Sequence, residues 1–386
     1  MPVHGHCDPR FAALREALEQ NFAERGELGA ALTVSVDGKP VADLWGGWAD
    51  EARTREWTPD TLVNVFSVGK AMASICLLRL VERGRIELDA PVAARWPQFA
   101  ARGKEAVTLR MVLAHRAGLP GVSRPLPDGA MYDLGLMSAA LADEGPWWEP
   151  GTAHGYHVNS FGFLLAEIVR RVSGESIGEM FEREVGGPLG AEFHWGIGPQ
   201  EDDRVAEFLF DAMASRRAGE GLAGPGEDER DRREALRRIY FNPPGISGLG
   251  TVNTRAWRAA QIASTNGHGT ARGVARVYGA LARGGTIDGV RVLDAETIER
   301  ATAEQSAGPD LVLHRPTRFG LGFQLTQPER PLGASPRSFG HFGAGGSLGF
   351  ADPDERLAFG YVMNRAGPRW QNPRNRALVD AVYSSL

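Results

Sequence analysis

A 386-residue chain in which 42% of the side chains are hydrophobic and 24% charged has the balance of a soluble globular protein of about two to three domain-sized units. Its net charge of −5 supplies no large basic field, and no Lys/Arg block is interleaved with aromatics, which argues against a nucleic-acid partner. No stretch of about 18 uninterrupted apolar residues marks a membrane span, and Cys7 and Cys76 are too few and too far apart for a disulfide framework or a zinc site.

The N-terminal "MPVHGHCDPRF" has no basic region followed by an apolar one, so a cytoplasmic location is expected. "RFAALREALEQNFAE" then reads as an amphipathic helix. The run "ALTVSVDGKPVADLWGG" alternates apolar and polar residues around Asp37, Gly38 and Lys39, which predicts a hairpin. "VGKAMASICLLRLVERG" has helical periodicity and a C-capping glycine at Gly84. From 91 to 270, "LRMVLAH", "MSAALADEG", "FGFLLAEIVRRVSG" and "IGEMFEREVGG" lack strand alternation and predict helices joined by loops. Residues 216–239 are charged and punctuated by glycine, predicting a solvated loop that leads into a helix. After it come a helix, "RGVARVYGALARGG", the strand-like runs "GLGFQLT" and "RLAFGYVMNR", and a final helix, "NPRNRALVDAVYSSL". The expected class is α/β (α+β): 1–90 and 271–386 form one α/β lobe, 91–270 form a mainly helical lobe inserted into it, and the active site lies between them.

Of 43 basic side chains only Lys39, Lys70 and Lys104 are lysines. Arginine stays protonated, whereas a buried lysine can lose its proton and act as a base, so a lysine kept in such a chain points to chemistry. Lys70 follows Ser67 by one helical turn, and residues at that spacing share a face. Ser67 also stands at a predicted helix N-terminus, where free N–H groups and the helix dipole favour developing negative charge. Spacing alone still allows a surface lysine near a chance serine. Lys39 and Lys104 fall in a turn and a loop, where arginine should serve equally well.

Two other serines match a Gly-x-Ser-x-Gly pattern, "GESIG" at 174–178 and "GGSLG" at 345–349. Ser176 follows a helix rather than a strand and fits a capping box with Glu179. Ser347 has no histidine after it, His341 being the last, and its glycines fit close backbone approach on a strand. "HGYH" at 154–157 lacks metal-ligand spacing, and no phosphate-binding Gly-x-x-x-x-Gly-Lys loop is present, so neither a metal nor a cofactor is expected.

"FSVGK" together with "EPGTAHGYHVNSFGFLLAEIVRRVSG" resembles the serine β-lactamase superfamily, specifically its class C β-lactamase-like and family VIII carboxylesterase branch. The likeness extends through "LRMVLAHRAGLPG", "RVYGALARGGTIDGVRVL", "FGLGF" and "FGHFGAGGSLGFADP", and so covers nearly the whole chain. It implies a β-lactamase/penicillin-binding-protein-like fold, an antiparallel sheet flanked by helices. It also implies a serine hydrolase forming an acyl-enzyme, with Ser67 as nucleophile and Lys70 and Tyr156 moving protons. By motif position, the N–H groups of Ser67 and Ala344 would form an oxyanion hole. His341, Phe342 and Gly343 stand where β-lactamases carry Lys-Thr-Gly, and Val158 stands where an asparagine is common, leaving Asn159 one place late as a substrate contact. A His-Phe pair holds a carboxylate poorly at neutral pH, so short-chain neutral esters are the expected substrates. A β-lactamase, a D-aminopeptidase or amide hydrolase, and an acyltransferase are the alternatives on the same residues. A catalytically idle binding or scaffold protein is the alternative of another class.

Overall fold

Short alternating runs from both ends of the chain meet in one sheet. The computed structural model describes residues 1–210 and 227–386, so part of the charged 216–239 segment lies outside the described residues. Three strands come from the N-terminal end: β1 (Val3–Cys7), β2 (Gly29–Val36) and β3 (Lys39–Gly47). Six come from the C-terminal end: β4 (Ser306–Pro309), β5 (Pro316–Phe319), β6 (Gln324–Leu325), β7 (Phe339–Phe342), β8 (Leu348–Asp352) and β9 (Leu357–Met363). Their order across the nine-stranded sheet is β1-β3-β2-β9-β8-β7-β6-β5-β4, antiparallel throughout. The β2–β3 hairpin forms where expected. Asp37 and Gly38 both take positive φ, 55° and 78°, which matches the twist of a two-residue hairpin turn. β1 has only a weak alternating signal, "VHGHC", and was not anticipated.

The two chain ends are stitched by β9 against β2, with Val34 opposite Phe359, and every residue of β9 is buried. Helices cover both faces of the sheet. On one, Arg272 of α6 (Ala271–Ala282) pairs with Asp43 at 2.7 Å; on the other, Gly46 packs on Phe22 of α1 (Ala12–Glu24), since neighbouring strand residues point to opposite faces. The C-terminal helix α7 (Pro373–Tyr383) packs on α1.

Among the described residues, no strand of this sheet comes from residues 91–270. That stretch supplies α3 (Leu134–Asp143), α4 (Ser160–Ser173) and α5 (Glu227–Phe241). It also holds the two-residue strands Phe193–His194 and His268–Gly269, which join Val63–Asn64 in a small sheet. Two-residue strands are too short to leave an alternating pattern, so the sequence reading missed them.

α2 (Val68–Glu82) is apolar almost all round and buried from Val68 to Leu78, as suits a helix packed on every side. It lies against α4 and the end of β7. Gly162 of α4 has no room for a side chain: a Cβ would meet the Ser264 backbone nitrogen at 2.2 Å. Ser176 caps Ile177–Phe181 through a capping box, as the sequence suggested. Among the described residues no helix is long and apolar enough to cross a membrane.

Lys104 corrects the expectation of a replaceable loop lysine. Its side chain is fully buried, and Nζ donates to the carbonyls of Ala101 (2.7 Å), Ala142 (3.0 Å) and Glu144, closing the turn after α3. An ammonium satisfies three converging carbonyls that a guanidinium is too large to enter. Lys104→Met should therefore lower the unfolding free energy by about 2–4 kcal/mol, and Lys104→Arg by about 1–3 kcal/mol through overpacking. A wild-type urea midpoint in both variants would contradict this role.

Candidate active site

The site begins with a forced turn. Val65 donates to the Gly267 carbonyl at 2.8 Å, and Phe66 then takes φ of 50°, a conformation a bulky residue adopts only under constraint from its surroundings. That turn delivers Ser67 to the N-terminus of α2 with no capping bond from its own side chain. Ser67 is 6% exposed and Lys70 is 0% exposed. Lys70 Nζ lies 3.0 Å from Ser67 Oγ, 2.7 Å from the Val158 carbonyl and 3.1 Å from the Ser264 carbonyl. All three partners are neutral. Burial with no compensating anion pushes the Lys70 amine well below its usual value.

Tyr156 arrives from the loop before α4. Its backbone N–H donates to both oxygens of Asp310 at 3.1 Å. Asp310 also accepts from Val312 N–H at 2.9 Å, Leu313 N–H at 2.8 Å and Thr317 Oγ1 at 3.0 Å, so one buried carboxylate ties the 310–317 loop to the tyrosine. The Tyr156 ring stacks on Phe319 at 5.7 Å and meets the edge of Trp370 at 5.2 Å. Lys70 Nζ is 4.9 Å from its centre. Burial raises the phenol well above its ordinary value, with the Ser67 hydroxyl opposing that rise.

The end of β7 completes the site. Gly343 abuts the Val65 carbonyl, where a Cβ would come to 2.3 Å, so only glycine lets this strand approach the residues before Ser67. His341 Nδ1 is 2.7 Å from the Phe342 carbonyl; a carbonyl only accepts, so Nδ1 carries the proton and Nε2 offers a lone pair. That Nε2 faces the Tyr156 hydroxyl at 3.5 Å, a long contact. Burial holds His341 at about 3, so the imidazole is neutral near pH 7. Phe342 N–H donates to Gln324 Oε1 at 3.0 Å. The backbone N–H groups of Ser67 and Ala344 have no hydrogen-bond acceptor among the described residues.

Asn159 behaves differently from a residue offering its amide to a ligand. Its Nδ2 donates to the Ile239 carbonyl at 2.8 Å and to Ser247 Oγ at 3.0 Å, leaving only a buried Oδ1 without a partner among the described residues. The histidines of "HGYH" have protein partners: His157 Nε2 accepts from the Leu119 backbone N–H at 3.0 Å, and His154 Nε2 lies 2.9 Å from the Thr317 side-chain hydroxyl. Ser347 is buried away from solvent, with no hydrogen bond to its hydroxyl among the described residues. Sequence reading missed the carbonyls of Val158 and Ser264, because a backbone acceptor leaves no residue-type signature. It also missed Asp310, whose role depends on contacts about 150 residues away in sequence.

Comparisons with known proteins cover nearly the whole chain. The Beta-lactamase family model matches residues 14–384. The chain is 37% identical over 376 residues to the esterase/beta-lactamase LipL of Mycobacterium tuberculosis, an alignment covering 94% of this chain and 83% of LipL. Among solved structures, a family VIII carboxylesterase has a TM-score of 0.91 at 39% identity, with 100% of both chains covered. A penicillin-binding protein homologue from Caulobacter crescentus has a TM-score of 0.90 at 38% identity, again over 100% of both chains. With the match running almost from end to end, the chain belongs to the Beta-lactamase family.

Proposed function

We propose that the protein is a serine carboxylesterase that works through an acyl-enzyme on Ser67, with short-chain carboxylic esters as substrates. The observation that carries this reading is the setting of Lys70: a buried amine whose hydrogen-bond partners among the described residues are Ser67 Oγ and two carbonyls. A neutral amine has two N–H donors and one lone pair. The carbonyls of Val158 and Ser264 use the donors, which leaves the lone pair for the Ser67 hydroxyl proton. Ser67 Oγ then bonds to the ester carbonyl carbon as its proton passes to Lys70. The unpaired N–H groups of Ser67 and Ala344 are suited to receive the resulting oxyanion. When the C–O bond breaks, the leaving alkoxide takes a proton from Tyr156, which burial keeps protonated, and Lys70 restores it. Water releases the acid by the same transfers in reverse.

This reading places the site between the lobe of residues 1–90 and 271–386, which supplies Ser67, Lys70 and His341, and the lobe of residues 91–270, which supplies Tyr156, Val158 and Ser264. The names of LipL and of the family VIII carboxylesterase support ester hydrolysis. LipL's name also keeps β-lactam hydrolysis as the second reading. Against it stands the neutral His341 in the position where a lysine would meet a lactam carboxylate.

Ser67→Ala should abolish turnover of p-nitrophenyl esters, and a fluorophosphonate should leave its adduct on Ser67 of the wild-type enzyme; an adduct on Ser176 or Ser347 would overturn the assignment. Across a chain-length panel, short esters should exceed a chromogenic cephalosporin in kcat/KM, and equal turnover of the two would shift the reading to a β-lactamase. Lys70→Arg should lower kcat/KM by a factor on the order of 10² or more, the scale of lost general-base help. A folded Lys70→Arg enzyme of near-normal activity would assign the proton work to Tyr156 alone.

A further inference from the structure

Arginines in this chain commonly meet a carboxylate: Arg272, Arg318 and Arg374 pair with Asp43, Glu304 and Glu27, each at 2.7 Å. Arg315 does not. It is half-buried, with its guanidinium carbon 4.9 Å from the centre of the Trp370 ring, the same ring whose edge meets Tyr156. Among the described residues no carboxylate lies within ion-pair distance of it, and no acceptor takes its N–H groups. The acid facing it is Asp310, whose oxygens are already occupied by Tyr156, Val312, Leu313 and Thr317. Tyr240 also faces it, but burial pushes that phenol up to about 12, so it carries no charge near pH 7.

The remaining charged neighbours are of the same sign. Arg330, which donates to the Pro316 carbonyl, and the exposed Arg369 both bear on Arg315. Burial and these two cations hold Arg315 below the ordinary arginine value. A cation partly withdrawn from water without a counter-ion is a cost that packing alone does not explain. A small crevice lined by Arg315, Phe319, Gln324, Arg330, Phe342 and Trp370 runs from this guanidinium to Phe342 at the end of β7, and Trp370 links it to the Tyr156 ring 5.2 Å away.

We propose that Arg315 is a specificity residue that binds a carboxylate carried by the ester substrate, with Trp370 as the platform that fixes its plane. A guanidinium stacked on an aromatic ring presents its forked donors edge-on, the geometry that matches a carboxylate. The inference rests on the esterase reading of Ser67 and revises one part of it. β7 offers no cation at His341, which suggested neutral esters, yet the 310–317 loop supplies one from another direction. The substrate class becomes esters with an anionic group on the acyl or the alcohol side, such as half-esters of dicarboxylic acids.

Matched pairs test this: mono-p-nitrophenyl glutarate against its methyl ester, and 4-acetoxybenzoate against methyl 4-acetoxybenzoate. At low ionic strength the wild-type enzyme should favour the anionic member of at least one pair by about tenfold or more in kcat/KM, the scale of a charge-assisted hydrogen bond. Added salt should erode that ratio. Arg315→Gln should bring it near one, and Arg315→Lys, which keeps the charge without the fork, should retain part of it. A wild-type ratio of one or less in both pairs, or a ratio that Arg315→Gln leaves intact, would overturn the proposal. Fluorophosphonate labelling keeps the two ideas separate: an adduct on Ser67 without charge preference defeats the role of Arg315, whereas no adduct and no ester turnover defeats the esterase reading itself.

Discussion

Lys70 Nζ is kept dry among acceptors that carry no charge, and much of the surrounding architecture follows from that requirement. Burying a lysine opposite a carboxylate would hold it as an ammonium; burying it opposite Val158 O, Ser264 O and Ser67 Oγ favours the free amine. To exclude water, α2 is enclosed on all sides from Val68 to Leu78. To bring the Ser264 carbonyl within reach, α4 keeps glycine at 162, and to close the remaining side β7 ends in glycine at 343. The strained φ of Phe66 belongs to the same arrangement, since it turns the chain from a short strand into α2 and leaves Ser67 at the helix mouth.

The second half of the site is a loop made rigid. Tyr156 lies outside any helix or strand, yet five hydrogen bonds to Asp310 and a stack of Phe319, Trp370 and His115 around its ring fix its position. Functional groups often sit on loops held by a stiff scaffold, and here the scaffold is a carboxylate whose capacity is fully used. That leaves Arg315, on the same 310–317 loop, without a counter-ion among the described residues. The contrast between the two residues separates what the loop does for the fold from what it offers to a ligand.

Much of this was legible in the sequence, for identifiable reasons. The scarcity of lysine singled out Lys70, and helical spacing tied it to Ser67 before any contact was known. The hairpin at Asp37-Gly38 and the capping box at Ser176 were readable because local backbone chemistry determines both. Interactions between distant segments were not readable. Lys104 has the same residue type as Lys70 and a polar neighbourhood, and only the convergence of three carbonyls shows it to be buried structure. Asn159 lay at a position suggestive of substrate contact, but its amide is spent on Ile239 and Ser247, a segment about 80 residues further on.

The claim at the centre of this account is that Lys70 is a neutral amine that removes the Ser67 proton. The pH dependence of the second-order rate of Ser67 phosphonylation by a small uncharged fluorophosphonate tests it most directly, because that reaction needs the nucleophile and its base but no alcohol leaving group. The account predicts a rate that rises with pH along one ionisation whose midpoint lies well below the ordinary lysine value of about 10.4, with the low-pH, protonated amine inactive. A midpoint at or above that value would show that Lys70 remains an ammonium near neutral pH and that Ser67 is activated there by another group.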